Sequence, residues 1–289
     1  MTDGILLVDK SGGPTSHDVV AVVRRLLDER RIGHAGTLDP SATGLLVVLL
    51  GRATRLTRFI GMLPKRYSGT VVFGWETSTD DASGEPTAPP EEAWRRLTPQ
   101  DVAAALRAVA AQPTQLPPAV SAKKVDGVRA YRRARRGESV KLAPVPVTIH
   151  ELVAGTWTGE SPELRIEVTC SAGTYIRAIA RDLGRALGTG AHLGALRRTV
   201  VGPWTVEDAT GVDGLTAALV QERLRSMREA LAHLPSVTLP AEAALRFAHG
   251  QKVPSDAPHG PVAVFDTGGL VGVAEASDGV LRPDVVLAA

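Results

Sequence analysis

Apolar and polar positions recur along this chain with periods that mark out its elements. Residues 5–8 form a short apolar run and read as a strand, followed by a loop over residues 9–14. From Ser16 onward, Val19, Val20, Val23, Leu26 and Leu27 recur at the 3.6-residue period of a helix with one buried face. Ser16 is its expected N-cap, Arg30 and Arg31 suit the negative end of the helix dipole, and Gly33 is the expected left-handed stop. Residues 45–50 are an unbroken apolar run, the signature of a strand covered on both faces. Residues 69–74 are another expected strand, and residues 76–100, rich in Thr, Ser, Asp, Glu and Pro, read as a surface excursion. Thr98, Pro99 and Asp101 open a helix that runs to Ala110. A proline-rich linker follows over residues 112–118. Leu164, Ile166, Val168 and Cys170 alternate with Arg165, Glu167 and Thr169, which predicts a half-buried strand. A helix is expected over 174–187 with Ile176, Ile179, Ala180, Leu183 and Leu187 inward, and another over 215–234. Short strands near 262–265, 270–274 and 280–287 end the chain. No segment repeats. Strands and helices mix without strict βαβ alternation, so the expected class is α+β.

At 289 residues, with 44% hydrophobic and 22% charged, the chain has the composition of a globular protein of one large or two smaller domains. No apolar run reaches the roughly 18–20 residues of a membrane span. Cys170 is the single cysteine, which excludes an intramolecular disulfide and a Cys-cluster metal site. Together with a start that lacks the basic region of a signal peptide, this leads us to expect a cytoplasmic protein that does not engage a membrane. The net charge of +2 hides an asymmetry. Residues 237–289 carry three basic and six acidic side chains, leaving 30 basic and 25 acidic before them. Arginine supplies 27 of the 33 positive charges. Arginine pairs bidentately with phosphate and stacks on bases, so the bias leans towards an anionic polymer, although a high-G+C genome would produce it too.

The segment Gly33-His-Ala-Gly-Thr-Leu-Asp-Pro-Ser-Ala-Thr-Gly44 is the strongest chemical feature, a glycine-rich loop leading into a buried strand. Asp39 stands before Pro40, which biases it to an extended backbone. A loop carboxylate there can be held rigidly and still be reached, and Asp-Pro is also a common turn pair. The seven histidines show no metal-ligand spacing, so no metal is expected, and His34 can serve simply as a polar loop residue. Asp80 and Asp81 suit a divalent ion or, more simply, a solvated loop. Two basic clusters stand out. Lys123, Lys124, Arg129, Arg132, Arg133, Arg135 and Arg136 surround Tyr131, and Arg177, Arg181 and Arg185 recur every four residues along one helix face. Phosphate contact is the sharper reading of both, and the second is also placed to pair with a carboxylate. The P-loop, dinucleotide-binding and nucleophile-elbow patterns do not occur, which argues against nucleotide-driven, flavin, nicotinamide and serine-hydrolase chemistry.

Collinear blocks then carry a specific resemblance. They are Gly4-Ile-Leu-Leu-Val-Asp-Lys10, Gly13-Pro-Thr-Ser-His-Asp18, Gly33 to Pro40 with Ala42-Thr-Gly-Leu45, Lys65-Arg-Tyr67, Pro117-Pro-Ala-Val-Ser-Ala122, Cys170-Ser-Ala-Gly-Thr-Tyr-Ile-Arg177, Asp182-Leu-Gly184, Gly190-Ala-His-Leu193 and Leu196-Arg-Arg198. Over about residues 4–204 the chain resembles the bacterial TruB family of tRNA pseudouridine synthases, which act on uridine-55 of the T-loop. The resemblance implies a mixed, mainly antiparallel sheet flanked by helices and loops over residues 1–234, with an RNA-contacting insertion at about 112–145. It also implies a small β-rich, PUA-like domain over 235–289. It assigns Asp39 as the catalytic carboxylate, Tyr67 as the ring stacked on the target base and Arg177 as the partner of the aspartate. Leu196 would wall the uracil pocket, His34 would enter the T-loop where nucleotides flip out, and Lys10 would support the site. Lys123, Lys124, Arg129, Arg132 and Arg133 would contact the RNA backbone. Three positions depart from the family pattern: Ser11 in place of a proline, Val120 in place of a tyrosine, and Lys123 where an apolar residue is common. They touch expected RNA contacts rather than the chemistry. The reaction breaks and remakes bonds within one nucleotide, so no cofactor is implied, and the expected partner is tRNA alone, bound by a monomer. Two other readings are a tRNA folding chaperone and a synthase guided by other proteins.

Overall fold

Why the apolar run at 45–50 is buried on both sides becomes plain from its neighbours. The computed structural model describes residues 2–120, 124–125, 128–129 and 142–287. Along the chain the main elements are β1 (Gly4–Lys10), α1 (Ser16–Leu27), β2 (Ile32–His34), β3 (Thr43–Leu50), α2 (Thr57–Gly61), β4 (Lys65–Phe73) and α3 (Pro99–Ala110). Then come β5 (Ile149–Ala154), β6 (Glu163–Cys170), α4 (Ile176–Leu187), β7 (Ala191–Val201) and β8 (Thr210–Gly211). The last part holds α5 (Ala217–Arg223), α6 (Met227–Ala230), β9 (Ser236–Thr238), α7 (Ala241–Ala248), β10 (Val253–Pro254), β11 (Gly260–Asp266), β12 (Gly269–Ser277) and β13 (Val280–Val286).

Two compact units emerge, one of residues 1–39, 45–62 and 202–289, the other of 40–44 and 63–201. In the first, strands run in the order β8-β1-β3, with β2 antiparallel along β3. Helix α1 lays Val19, Val20 and Val23 on Leu6, Val8, Leu46, Val48 and Leu50, none of them more than 2% exposed. Fully or nearly fully buried aliphatic side chains of this size contribute about 1.5–3 kcal/mol each. The helix begins one residue earlier than expected. Thr15 is the N-cap and forms a reciprocal capping box with Asp18, while Ser16 is already helical and buried. The stop differs as well: Asp28 at φ 49° ends α1, and Gly33 lies inside β2.

The long helix expected over 215–234 is broken. The chain extends at Leu224, and Arg225 exchanges both backbone hydrogen bonds with Ile5 at 2.9 Å. A second start follows at Ser226, capped reciprocally by Glu229. The end of the chain forms a five-stranded sheet in the order β9-β11-β12-β13-β10 around Phe247, which α7 drives into its centre. This helix was not expected from the sequence. Arg52 donates to Leu287 O at 2.9 Å, and Arg55 and Arg58 reach Val286 O and Asp284.

In the second unit β7, β4, β6 and β5 form an antiparallel series. Its inner face packs Val71, Phe73, Leu164, Ile166 and Leu193 against Ile179 and Leu183 of α4 and Val102 of α3. Beside it, Arg197 and Arg198 of β7 pair in parallel with Thr43 and Gly44. That rung needs glycine: at φ +100° a Cβ on Gly44 would stand 2.2 Å from Arg198 O.

Candidate active site

The Asp39 loop is held from behind. Strand β2 ends at His34, Ala35 N–H donates to Val47 O at 2.9 Å, and the Ser16 hydroxyl accepts from Leu38 N–H at 2.9 Å and donates to Leu38 O at 3.1 Å. Asp39 follows at once and is half-buried. His34 meets His17 edge to face, with ring centroids 5.4 Å apart. Lys10 is the last residue of β1 rather than part of a loop. Its side chain is fully buried and its ammonium donates to Ser11 O at 2.9 Å. Lys10, His34 and Asp39 all belong to the first unit.

Tyr67, Leu196 and Arg177 belong to the second. On β4 Tyr67 stands opposite Val168 of β6 and Arg198 of β7, and the next rung on the same face pairs Gly69 with Leu196. Tyr67 and Leu196 are therefore diagonal neighbours on one sheet face, both half-buried at the rim of the core. The same face carries Arg198, 1% exposed, and Lys65, 5% exposed. Neither was singled out for a role in the sequence, although Lys65 lies in the Lys-Arg-Tyr block. The Lys65 ammonium donates to Leu63 O at 2.6 Å. Burial, reinforced by Arg198, pulls its pKa down to about 8, while burial pushes the Cys170 thiol up to about 11.

The arginine stripe of α4 is not a solvated or phosphate-facing surface along its length. Arg177 and Arg181 are 7% and 4% exposed. Arg177 Nη1 donates to Thr79 O at 2.9 Å and stands 3.6 Å from Asp81 Oδ2. Arg181 reaches Asp80 at 2.8 Å, Asp182 at 2.9 Å and Leu116 O at 2.9 Å. Arg185, more exposed, grips Glu76 with two parallel hydrogen bonds of 2.7 and 2.8 Å, and these hold the Glu76 carboxyl below its usual pKa. Asp80 and Asp81 thus lie buried against cations, instead of solvating a loop. Asp80 sits at φ 60°, a left-handed conformation that sends consecutive carboxylates to different arginines.

Lys123, Arg132 and Arg133 lie outside the described residues. Lys124 and Arg129 pair across a two-residue hairpin ladder whose side chains are not described. Among the described residues no cluster of His, Cys, Asp or Glu has the geometry of a metal site. No described helix is long and apolar enough to cross a membrane.

Comparison with known proteins places this arrangement. Residues 24–176 match the N-terminal domain of the TruB family pseudouridylate synthases, 177–246 the tRNA pseudouridylate synthase B C-terminal domain, and 235–287 the C-terminal domain of pseudouridine synthase II TruB. The tRNA pseudouridine synthase B of Thermobifida fusca is 47% identical, covering 100% of this chain and 99% of its own. That of Gloeobacter violaceus is 45% identical, with 99% of each covered. Among solved structures, a chain of a Cbf5-Nop10-Gar1 complex has a TM-score of 0.72 at 25% identity, covering 98% of this chain and 83% of that one. A chain of an H/ACA RNP bound to a substrate RNA containing 2′-deoxyuridine scores 0.73 at 22% identity, covering 99% and 85%, a likeness of fold. The mixed sheet with its β-rich C-terminal part is the pseudouridine synthase fold, and the chain belongs to the TruB family of pseudouridine-forming isomerases.

Proposed function

We propose that this chain converts uridine-55 in the T-loop of tRNA to pseudouridine, with Asp39 as the reacting carboxylate. Support comes above all from the Asp39 loop, whose preceding residue is bonded on both its N–H and its C=O by a buried side chain. A carboxylate on a stiff loop is what a reaction at one sugar carbon needs. The reaction breaks C1′–N1, turns the uracil and joins C1′ to C5. N1 gains a proton and C5 loses one, so atoms balance within the nucleotide and no cofactor takes part. Asp39 acts at C1′, at C6 or on the 2′ proton. Tyr67 stacks on the base, Leu196 closes its edge and Arg177 supplies the cation for the reacting carboxylate. Lys10 supports the Asp39 side of the site. His34 fills the stack vacated by the flipped nucleotide, which offsets part of the few kcal/mol that flipping costs. Lys123, Lys124, Arg129, Arg132 and Arg133 contact RNA phosphates.

In this reading residues 1–234 are the catalytic domain, with an RNA-contacting insertion at about 112–145, and 235–289 the small PUA-like domain. The protein works as a cytoplasmic monomer without a protein partner or a membrane. The test is tritium release from C5-labelled uridine in an unmodified tRNA transcript. Wild type should release it at the T-loop position, and Asp39→Asn should bind tRNA and release none. A folded, tRNA-binding wild type that releases no tritium would favour a folding chaperone or a guided synthase instead.

A further inference from the structure

We propose that Ser16 is a positioning residue for the reaction, setting through Leu38 where the Asp39 carboxylate stands. The inference rests on the reading of Asp39 given above. Ser16 lies in the first turn of α1, 22 residues before Leu38, and is 2% exposed. Leu38 is 3% exposed, so its peptide groups have little access to water. One hydroxyl satisfies both: it accepts from Leu38 N–H at 2.9 Å and donates to Leu38 O at 3.1 Å. A hydroxyl has one proton to give and two lone pairs, so this bracket uses its donor and one acceptor without conflict. Two bonds to one residue pin the peptide plane on each side of Leu38, and the second of these planes begins Asp39.

The position of Ser16 does not depend on the loop it holds. Thr15 and Asp18 close the capping box around it, with Asp18 Oδ2 accepting from Thr15 N–H at 2.8 Å and from the Thr15 hydroxyl at 2.7 Å. Val19, Val20 and Val23 then seat the helix on β1 and β3. Rigidity in the core is carried by a single side chain to the residue before the carboxylate. On the other side, Pro40 restricts Asp39 to extended backbone. Asp39 is thereby confined from both ends. An Ala at position 16 leaves two buried peptide groups unbonded and frees the loop to drift, and a shift of about 1 Å at a reacting group costs on the order of a hundredfold in rate.

The experiment is single-turnover tritium release with enzyme in excess over C5-labelled tRNA transcript, for wild type, Ser16→Ala, Ser16→Thr, Ser16→Cys and Asp39→Asn. Each rate constant is extrapolated to saturating enzyme. A purely structural role, which only lowers the folded fraction, raises the enzyme concentration needed for saturation and leaves that rate constant unchanged. We expect Ser16→Ala to lower the saturating rate constant at least about tenfold, with half-saturation shifted by less than about twofold. Ser16→Thr keeps the hydroxyl and should stay closer to wild type than Ser16→Ala. Ser16→Cys, similar in size and a weaker donor, should fall with Ala, and it takes the place of Ala if that variant does not fold. A wild-type saturating rate for Ser16→Ala or Ser16→Cys beside a dead Asp39→Asn overturns the proposal alone, as do Ser16→Thr and Ser16→Ala that are equally slow. Full release by Asp39→Asn overturns the catalytic reading, and this proposal with it.

Discussion

At the scale of single residues, Lys65 shows how burial sets a charge against stability. Its ammonium donates to Leu63 O at 2.6 Å and shares its surroundings with Arg198. Its pKa falls from 10.5 to about 8, chiefly through burial. Between those two values the unfolded chain holds a proton that the folded chain has released, so stability rises as pH rises through this window. Below about pH 8 the penalty is fully present. Lys65→Met removes it, and should therefore raise Tm relative to wild type most at pH 7, with the gap narrowing by pH 10. Thermal melts of both proteins at the two pH values measure this, and a gap independent of pH would show that the ammonium carries no such penalty. A lysine at a strand start usually reads as solvated, whereas this one lies between Cys170 and Val201 on the flanking strands and is 5% exposed. Gly44 was legible only as a glycine in a chemical loop; what it approaches is the Arg198 carbonyl of a neighbouring strand, which no local pattern names. The cap of α1 was misplaced by one residue: Ser16 was the expected N-cap, whereas Thr15 forms the capping box with Asp18 and Ser16 is buried beside it.

Helix α4 displays the limit of periodic reasoning at the scale of elements. Spacing of four places Arg177, Arg181 and Arg185 on one face, and the helix follows from its apolar positions. Whether that face is wet depends on the chain at 76–81, about a hundred residues away, which folds over it. The Asp80–Arg181 pair is buried, with side chains 12% and 5% exposed, and burial raises the Asp80 pKa despite the guanidinium. Removing one partner strands the other charge, so Arg181→Met should cost about 3–5 kcal/mol and Asp80→Asn an amount of similar order. The double variant should cost clearly less than the two together, by more than about 1 kcal/mol, because both members of the most buried pair are removed at once. Urea denaturation of the four proteins measures the cycle, and additive losses would mean that the pair is not coupled. The broken helix at 215–234 follows the same logic. Apolar spacing continues across the break and suggested a single helix, whereas Ser226 and Glu229 form the capping box of a second start. What interrupts the helix is Arg225 pairing with Ile5, a contact 220 residues apart in the chain that no local pattern encodes.

For the whole molecule, charge and shape divide the work of recognising RNA. The three basic and six acidic side chains of residues 237–289 make that part a poor long-range attractor of phosphate. Some of its charge is met within the protein, since Arg58 reaches Asp284 and Arg282 reaches Asp278. Arg177, Arg181 and Arg185, which looked available for phosphate, are engaged by carboxylates of their own unit. In the proposed reading attraction falls to the basic cluster of the insertion, where Lys123, Lys124, Arg129, Arg132 and Arg133 would provide up to five phosphate contacts. Each such contact releases counterions, and five of them give a slope of about −4 in log affinity against log salt. Affinity for tRNA should fall by about 250-fold between about 50 and 200 mM salt. Chemistry takes place after binding, at groups fixed by core and backbone, so the saturating single-turnover rate should change by less than about twofold over the same range. Replacing Lys124 and Arg129 by Ala should flatten the slope by about one unit each and leave that rate alone. Filter binding and tritium release on the same samples separate the two quantities. A flat affinity would remove the insertion from the electrostatic contact, and a saturating rate that fell with affinity would mean that the basic cluster also holds the target nucleotide in place for the reaction.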